Sequence, residues 1–183
     1  MLEALKARAS MRRKAGEIYG AIVTQARRPE FYAKLGIPDT PAGRYDMVVL
    51  HLFLVLERLR AEAAPTEMLQ RALIEAFVSD MDDSLRELGT GDIVVGKKVR
   101  RAAAGFYERS RTYREALAAD DAAALEAALA RLGVVPQGDA QRATALAAYV
   151  RAAATDLGRQ DGDAVLEGRL AFAPLSSLDG GSR

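Results

Sequence analysis

The chain has 183 residues, enough for one medium helical domain with a short tail. Half of the residues are hydrophobic and 28% are charged, the profile of a soluble globular protein. The 26 basic and 25 acidic side chains leave a net charge of +1, so any electrostatic message must lie in local clusters. Cys is absent, which excludes disulfides, thiolate metal sites and Cys nucleophiles together, and fits a reducing compartment.

The opening residues, Met1 to Arg8, lack the uninterrupted apolar stretch of a secretory signal. The Arg-rich run from Arg8 to Lys14 suits a mitochondrial presequence, but Glu3 and Glu17 argue against one. From Met11 to Ala26, apolar residues at Met11, Ala15, Ile18, Ile22 and Ala26 predict a helix with one buried stripe. Pro29 suits the first turn of a short helix over Glu30 to Leu35, and Gly36 its C-terminal cap. The two prolines and the glycine of Ile37 to Gly43 predict a loop.

A helix is predicted from Arg44 to Ala64. Its segment Met47 to Leu56 is apolar on every side, which marks a central buried element. That segment is about half as long as a bilayer span and is interrupted by His51, so an integral membrane protein is not expected. Pro65 opens a helix from about Thr66 to Leu88, stopped by Gly89. Thr90 to Val95 reads as a short connection whose β-branched residues favour extended backbone.

A helix from Lys97 to about Ala118 follows, with Val99, Ala102, Ala103, Phe106, Ser110, Tyr113 and Leu117 as its inward stripe. Asp120 or Asp121 caps the next, with Leu125, Ala128, Leu129 and Leu132 inward and Gly133 ending it. Another runs from about Asp139 to Leu157, with Ala143, Leu146, Val150 and Leu157 inward. After Gly158 the helical signal fades, and the Gly/Ser-rich end from Ser176 to Arg183 reads as disordered. The expected fold is all-α, a single compact multi-helix domain over residues 10–172 with a flexible tail over 173–183.

Three motifs resemble catalytic ones. Gly91 to Lys98 nearly spells a phosphate-binding loop, but Lys98 has no hydroxyl for Mg²⁺ and a long helix precedes the motif where a buried strand is required. It reads as a helix-to-helix turn with glycines at strained positions. Asp80-Met81-Asp82-Asp83 is an acidic cluster of the kind an all-helical, Mg²⁺-dependent enzyme uses, yet no second acidic motif accompanies it. His51, the only histidine, lies inside the most apolar helix, where a hydrogen-bonded core role is expected. No catalytic residue, cofactor or metal is assigned.

A charge pattern carries more. Asp80, Asp83 and Glu87, spaced i, i+3, i+7, form a line of negative charge near a helix C-terminus, where the helix dipole disfavours anions. Such a line calls for facing cations, and Arg86 with Lys97, Lys98, Arg100 and Arg101 can supply them. Between Lys97 and Arg114 stand seven basic residues against one acid, Glu108. Arg100, Tyr107 and Arg111 share a narrow sector with Arg114 beside it. This is either a solvated face or a docking surface for an acidic partner or RNA phosphate. The candidate partner-binding residues are therefore Asp80, Asp83, Glu87, Lys97, Arg100, Tyr107, Arg111 and Arg114.

Two blocks of sequence go further. Ile18-Tyr19-Gly20-Ala21-Ile22-Val23, Arg27-Arg28-Pro29-Glu30-Phe31-Tyr32, Gly36-Ile37-Pro38-Asp39-Thr40 and Gly43-Arg44-Tyr45-Asp46 form the first, running on into Leu50 to Leu56. Asp80-Met81-Asp82-Asp83-Ser84-Leu85-Arg86-Glu87-Leu88-Gly89, Gly91-Asp92, Val95-Gly96-Lys97 and Phe106-Tyr107-Glu108-Arg109 form the second. Together they resemble the ubiquinol–cytochrome c chaperone family over roughly Ile18 to Leu117, with looser similarity at Tyr149 and Gly168 to Phe172. The short start and Ala/Arg-rich composition resemble a bacterial member without a long targeting or anchoring extension.

The resemblance implies an all-helical, non-catalytic factor that holds cytochrome b or its assembly intermediates while the ubiquinol–cytochrome c reductase complex is built. The ribosome is a further candidate partner, DNA is not, and a cytoplasmic location with peripheral contact at the inner membrane (its matrix side in a mitochondrion) is expected. The rival readings are the Mg²⁺-dependent enzyme centred on Asp80 to Asp83 and an RNA- or ribosome-binding helical module.

Overall fold

The computed structural model describes residues 2–87, 89, 91–119, 121–172 and 175. Every regular element among them is a helix: α1 (Leu2–Ala26), α2 (Pro29–Ala33), α3 (Pro41–Arg60), α4 (Glu67–Glu87), α5 (Asp92–Ala118), α6 (Ala122–Arg131), α7 (Ala140–Arg159) and α8 (Gly162–Leu166). The all-α reading and the order of the helices hold. Of the expected tail only Leu175 is described, and it is buried; Ser176 to Arg183 lie outside the described residues.

The apolar run in α3 determines the architecture. All ten residues from Met47 to Leu56 are buried, which requires neighbours on every side, and α1, α5 and α7 supply them. Helix α1 also packs extensively along α4, and α6 pairs with α7. The inward stripes follow the 3.6-residue period: Ala15, Ile18, Ile22 and Ala26 on α1, Phe106 and Tyr113 on α5, and Leu146, Val150 and Leu157 on α7 are buried.

Several boundaries differ from the sequence expectation, each for a local reason. Helix α3 starts at Pro41, because Thr40 is its N-cap, with Oγ1 accepting from the Gly43 N–H at 3.2 Å, and Pro41 needs no amide hydrogen at N1. Gly43 is required there: a Cβ on it would stand 2.0 Å from the Pro38 carbonyl oxygen. Helix α1 extends back to Leu2. Helix α5 starts at Asp92, so Ile93, Val94 and Val95 are helical and not extended. The β-branched cost in a helix is only a few tenths of a kcal/mol (about 0.5), and complete burial of Val95 outweighs it.

Of the glycines in the turn between α4 and α5, Gly89 adopts a left-handed φ of 73°, while Gly91 is an ordinary N-cap at −64° and Gly96 is helical. Asp121 caps α6; the other candidate cap, Asp120, lies outside the described residues. Beyond Gly158, where the pattern fades, α7 continues to Arg159 and α8 follows.

His51 is fully buried, as a hydrogen-bonded residue of the core. Its Nδ1 lies 2.7 Å from the Met47 carbonyl, which only accepts, so Nδ1 carries the hydrogen and Nε2 is the acceptor. The Tyr149 hydroxyl, 2.7 Å from Nε2, donates to it and in turn accepts from Gln25 Nε2 at 3.0 Å. Three helices are thereby joined through one satisfied polar cluster, edged by Phe31 and Phe172.

Candidate docking surfaces

The expected acidic line makes no ion pair with the basic helix among the described residues, although Asp80 and Glu87 line the same groove as Lys98. Asp80, half-buried, accepts a 2.8 Å hydrogen bond from Tyr19 of α1. Burial and this bond to a carboxylate push the Tyr19 phenol well above its ordinary value. Asp82 pairs with Arg86 of its own helix at 2.6 Å. Asp83 and Glu87 are exposed. None of Lys97, Lys98, Arg100 and Arg101 lies within 4.0 Å of a carboxylate among the described residues. The three aspartates of the cluster thus turn to different surroundings: one to α1, one to Arg86 and one to solvent. Among the described residues, no group of three His, Asp or Glu side chains is placed to hold a metal ion.

Helix α5 presents its charges as the spacing requires. Lys97, Arg100, Tyr107 and Arg111 are exposed, with Tyr107 at 56% resting edge-on against the buried Phe106 ring. Arg111 is only 4.0 Å from Glu115, both being 71% exposed, so the pair leaves the guanidinium available. Arg114 differs: its guanidinium makes two bonds, of 2.9 and 2.8 Å, to Glu57 of α3. It fastens α5 to the core helix, whereas the other four look outward.

Sequence reasoning missed the tertiary charges. Asp46 and Arg109 form a 2.9 Å ion pair between α3 and α5. Burial pushes the Asp46 carboxyl above its ordinary value, against the pull of Arg109. Arg58 donates to the carbonyls of Leu157 and Gln160 at 2.7 and 2.8 Å, closing the C-terminal end of α7 with a cation. The one available signal was a carboxylate, Asp46, next to a wholly apolar run. Its partner stands 63 residues away in the chain, beyond the reach of any local pattern.

The sequence model of the ubiquinol-cytochrome C chaperone family matches residues 33–172. The chain belongs to this family. It is 26% identical to the ubiquinol-cytochrome-c reductase complex assembly factor 1 of Xenopus laevis over 164 residues, covering 88% of this chain and 82% of that protein. The mouse protein of the same description is 25% identical over 160 residues, covering 86% of this chain but 54% of the mouse protein. In structure, the chain is similar to the Cbp3 homolog from Brucella abortus, with a TM-score of 0.81, 36% identity, and coverage of 96% of this chain and 98% of that one. The ubiquinol-cytochrome C chaperone match begins within α2, while the structural similarity takes in nearly the whole chain. No helix among the described residues is long and apolar enough to cross a membrane.

Proposed function

We propose that this protein is an assembly chaperone for the ubiquinol–cytochrome c reductase complex, and that it holds cytochrome b or an assembly intermediate containing it. The observation that carries the reading is family membership over 33–172 together with the close fold similarity to the Cbp3 homolog. The docking face of this proposal is the outer side of α5, with Lys97, Arg100, Tyr107 and Arg111 exposed and held by a well-packed inner side. An exposed aromatic between cations is the composition of an energetic contact at a protein interface. Arg114 serves this face indirectly, by fixing α5 to Glu57. Asp83 and Glu87 remain candidates as exposed acidic contacts, while Asp80 serves through its bond to Tyr19. A domain over 10–172 is part of the same proposal, and so are a non-catalytic action and a location at the cytoplasmic side of the membrane that holds the complex.

The test is affinity capture of the tagged chain from gently solubilised membranes of its own cells. Retention of cytochrome b is expected. Recovery of the complex's other subunits without cytochrome b would contradict the choice of client. Lys97 and Arg100, exposed and with no carboxylate within 4.0 Å among the described residues, favour one second reading, ribosomal RNA as the ligand of this face. In that case co-sedimentation with ribosomes would fall steeply with added salt.

A further inference from the structure

On the other flank of α5 the helices part. A groove of about 640 Å³ opens between α1, α3, α4 and α5. Its walls include Arg27 at the end of α1, Arg44 and Tyr45 in the first turns of α3, Met81 and Leu85 one turn apart on α4, and Lys98 on α5. A second hollow of about 520 Å³ shares Tyr45 and Lys98 with it and adds Arg101. Tyr45 donates its hydroxyl to the Ala102 carbonyl at 2.8 Å, which fixes the shared floor. The volume is that of a side-chain-accepting pocket, not of a packing defect.

The charges identify the occupant. Arg44 is matched by Asp39 at 2.7 Å, but Arg27, Lys98 and Arg101 have no carboxylate within 4.0 Å among the described residues. Lys98 lines both hollows, with Arg27 in the first and Arg101 in the second, where the exposed Glu108 is the one carboxylate among the described lining residues. The α4 wall is of the opposite sign, with Asp80 and Glu87. A continuous polyanion such as RNA, or a bed of anionic headgroups, would meet that wall with like charge. A helix can carry carboxylates on one flank only and an apolar stripe between its flanks. We propose that this trough receives an amphipathic helical segment of a partner protein, with apolar side chains at i, i+3 or i+4 and i+7 on Met81, Leu85 and Tyr45, and with Asp or Glu toward Arg27, Lys98 and Arg101. The groove is a surface distinct from the face of Arg100, Tyr107 and Arg111, and its occupant is independent of the client held there.

A photo-cross-linking side chain in place of Leu85, in the full chain expressed in its own cells, tests this, with the same group in place of Met68 as the control. Met68 is 58% exposed at the start of α4, outside the groove. The expected result is a protein adduct at position 85 but not 68, whose cross-linked peptide shows the apolar stripe with an acidic flank. Its yield should fall at least ten-fold when Lys98→Glu and Arg101→Glu are added. Both residues are exposed, and the milder Lys98→Gln with Arg101→Gln should lower the yield less while retaining the wild-type melting curve. A cross-link to a second copy of this chain, to lipid or to RNA would overturn the proposal. So would a peptide without the acidic flank, a yield at position 85 no greater than at 68, or a yield indifferent to both pairs of substitutions.

Discussion

The phenol of Tyr149, on α7, donates its hydrogen to Nε2 of His51, on α3, across 2.7 Å. Removing it leaves a buried imidazole acceptor and the Gln25 amide without their partner. Tyr149→Phe is expected to cost about 1–3 kcal/mol in urea unfolding, the cost of an unsatisfied buried polar group. The contrast is Tyr113, whose hydroxyl is fully buried with no protein hydrogen-bond partner. Tyr113→Phe should leave stability unchanged or slightly raised, because no bond is lost and a desolvated hydroxyl is removed.

Burial lowers the pKa of His51 to about 4. The unfolded chain, in which the imidazole titrates near its ordinary 6.5, binds more protons than the folded one between those two values. The contribution of a neutral His51 is therefore intact above pH 6.5 and is lost as the pH falls toward 4, by up to about 1.4 kcal/mol per pH unit. In His51→Gln the decline in unfolding free energy between pH 7 and pH 5 should be shallower than in the native protein. Equal slopes would show that His51 is not the group titrating.

How much of this was legible in the sequence depends on distance along the chain. The buried α3 segment, the α1 and α7 stripes and the outward sector of Arg100, Tyr107 and Arg111 follow from helical periodicity alone, because each is set within a few turns. The pairing of the acidic line with the basic helix was inferred from adjacency in sequence, and it failed because Asp80 is turned to Tyr19, 61 residues away. Arg114 stands beside the sector of the docking residues, but its partner Glu57 is 57 residues distant, so nothing local marked it as structural. The start of α5 was obscured by β-branched residues, whose weak local preference yields to burial.

Arg100→Ala with Arg111→Ala should leave the unfolding free energy within about 0.5 kcal/mol of the native value, since both side chains are exposed and the one ion pair they make among the described residues is a solvated one. Client capture should weaken by about 2 kcal/mol, roughly thirty-fold, if this face carries the contact. Arg114→Ala is expected to behave differently, lowering stability by about 1 kcal/mol through loss of its paired bonds to Glu57. Measuring melting and affinity capture side by side separates the two roles.

As a chaperone for a reductase subunit, the protein is proposed to act after that subunit has been made. The most direct measurement is the cytochrome b content of membranes from a strain lacking the protein, read from the difference spectrum and by immunoblot, alongside the level of its messenger RNA. Cytochrome b is expected to be lost while the messenger persists, and the native chain is expected to restore it. Cytochrome b at the parental level in the deletion strain would contradict the proposed action.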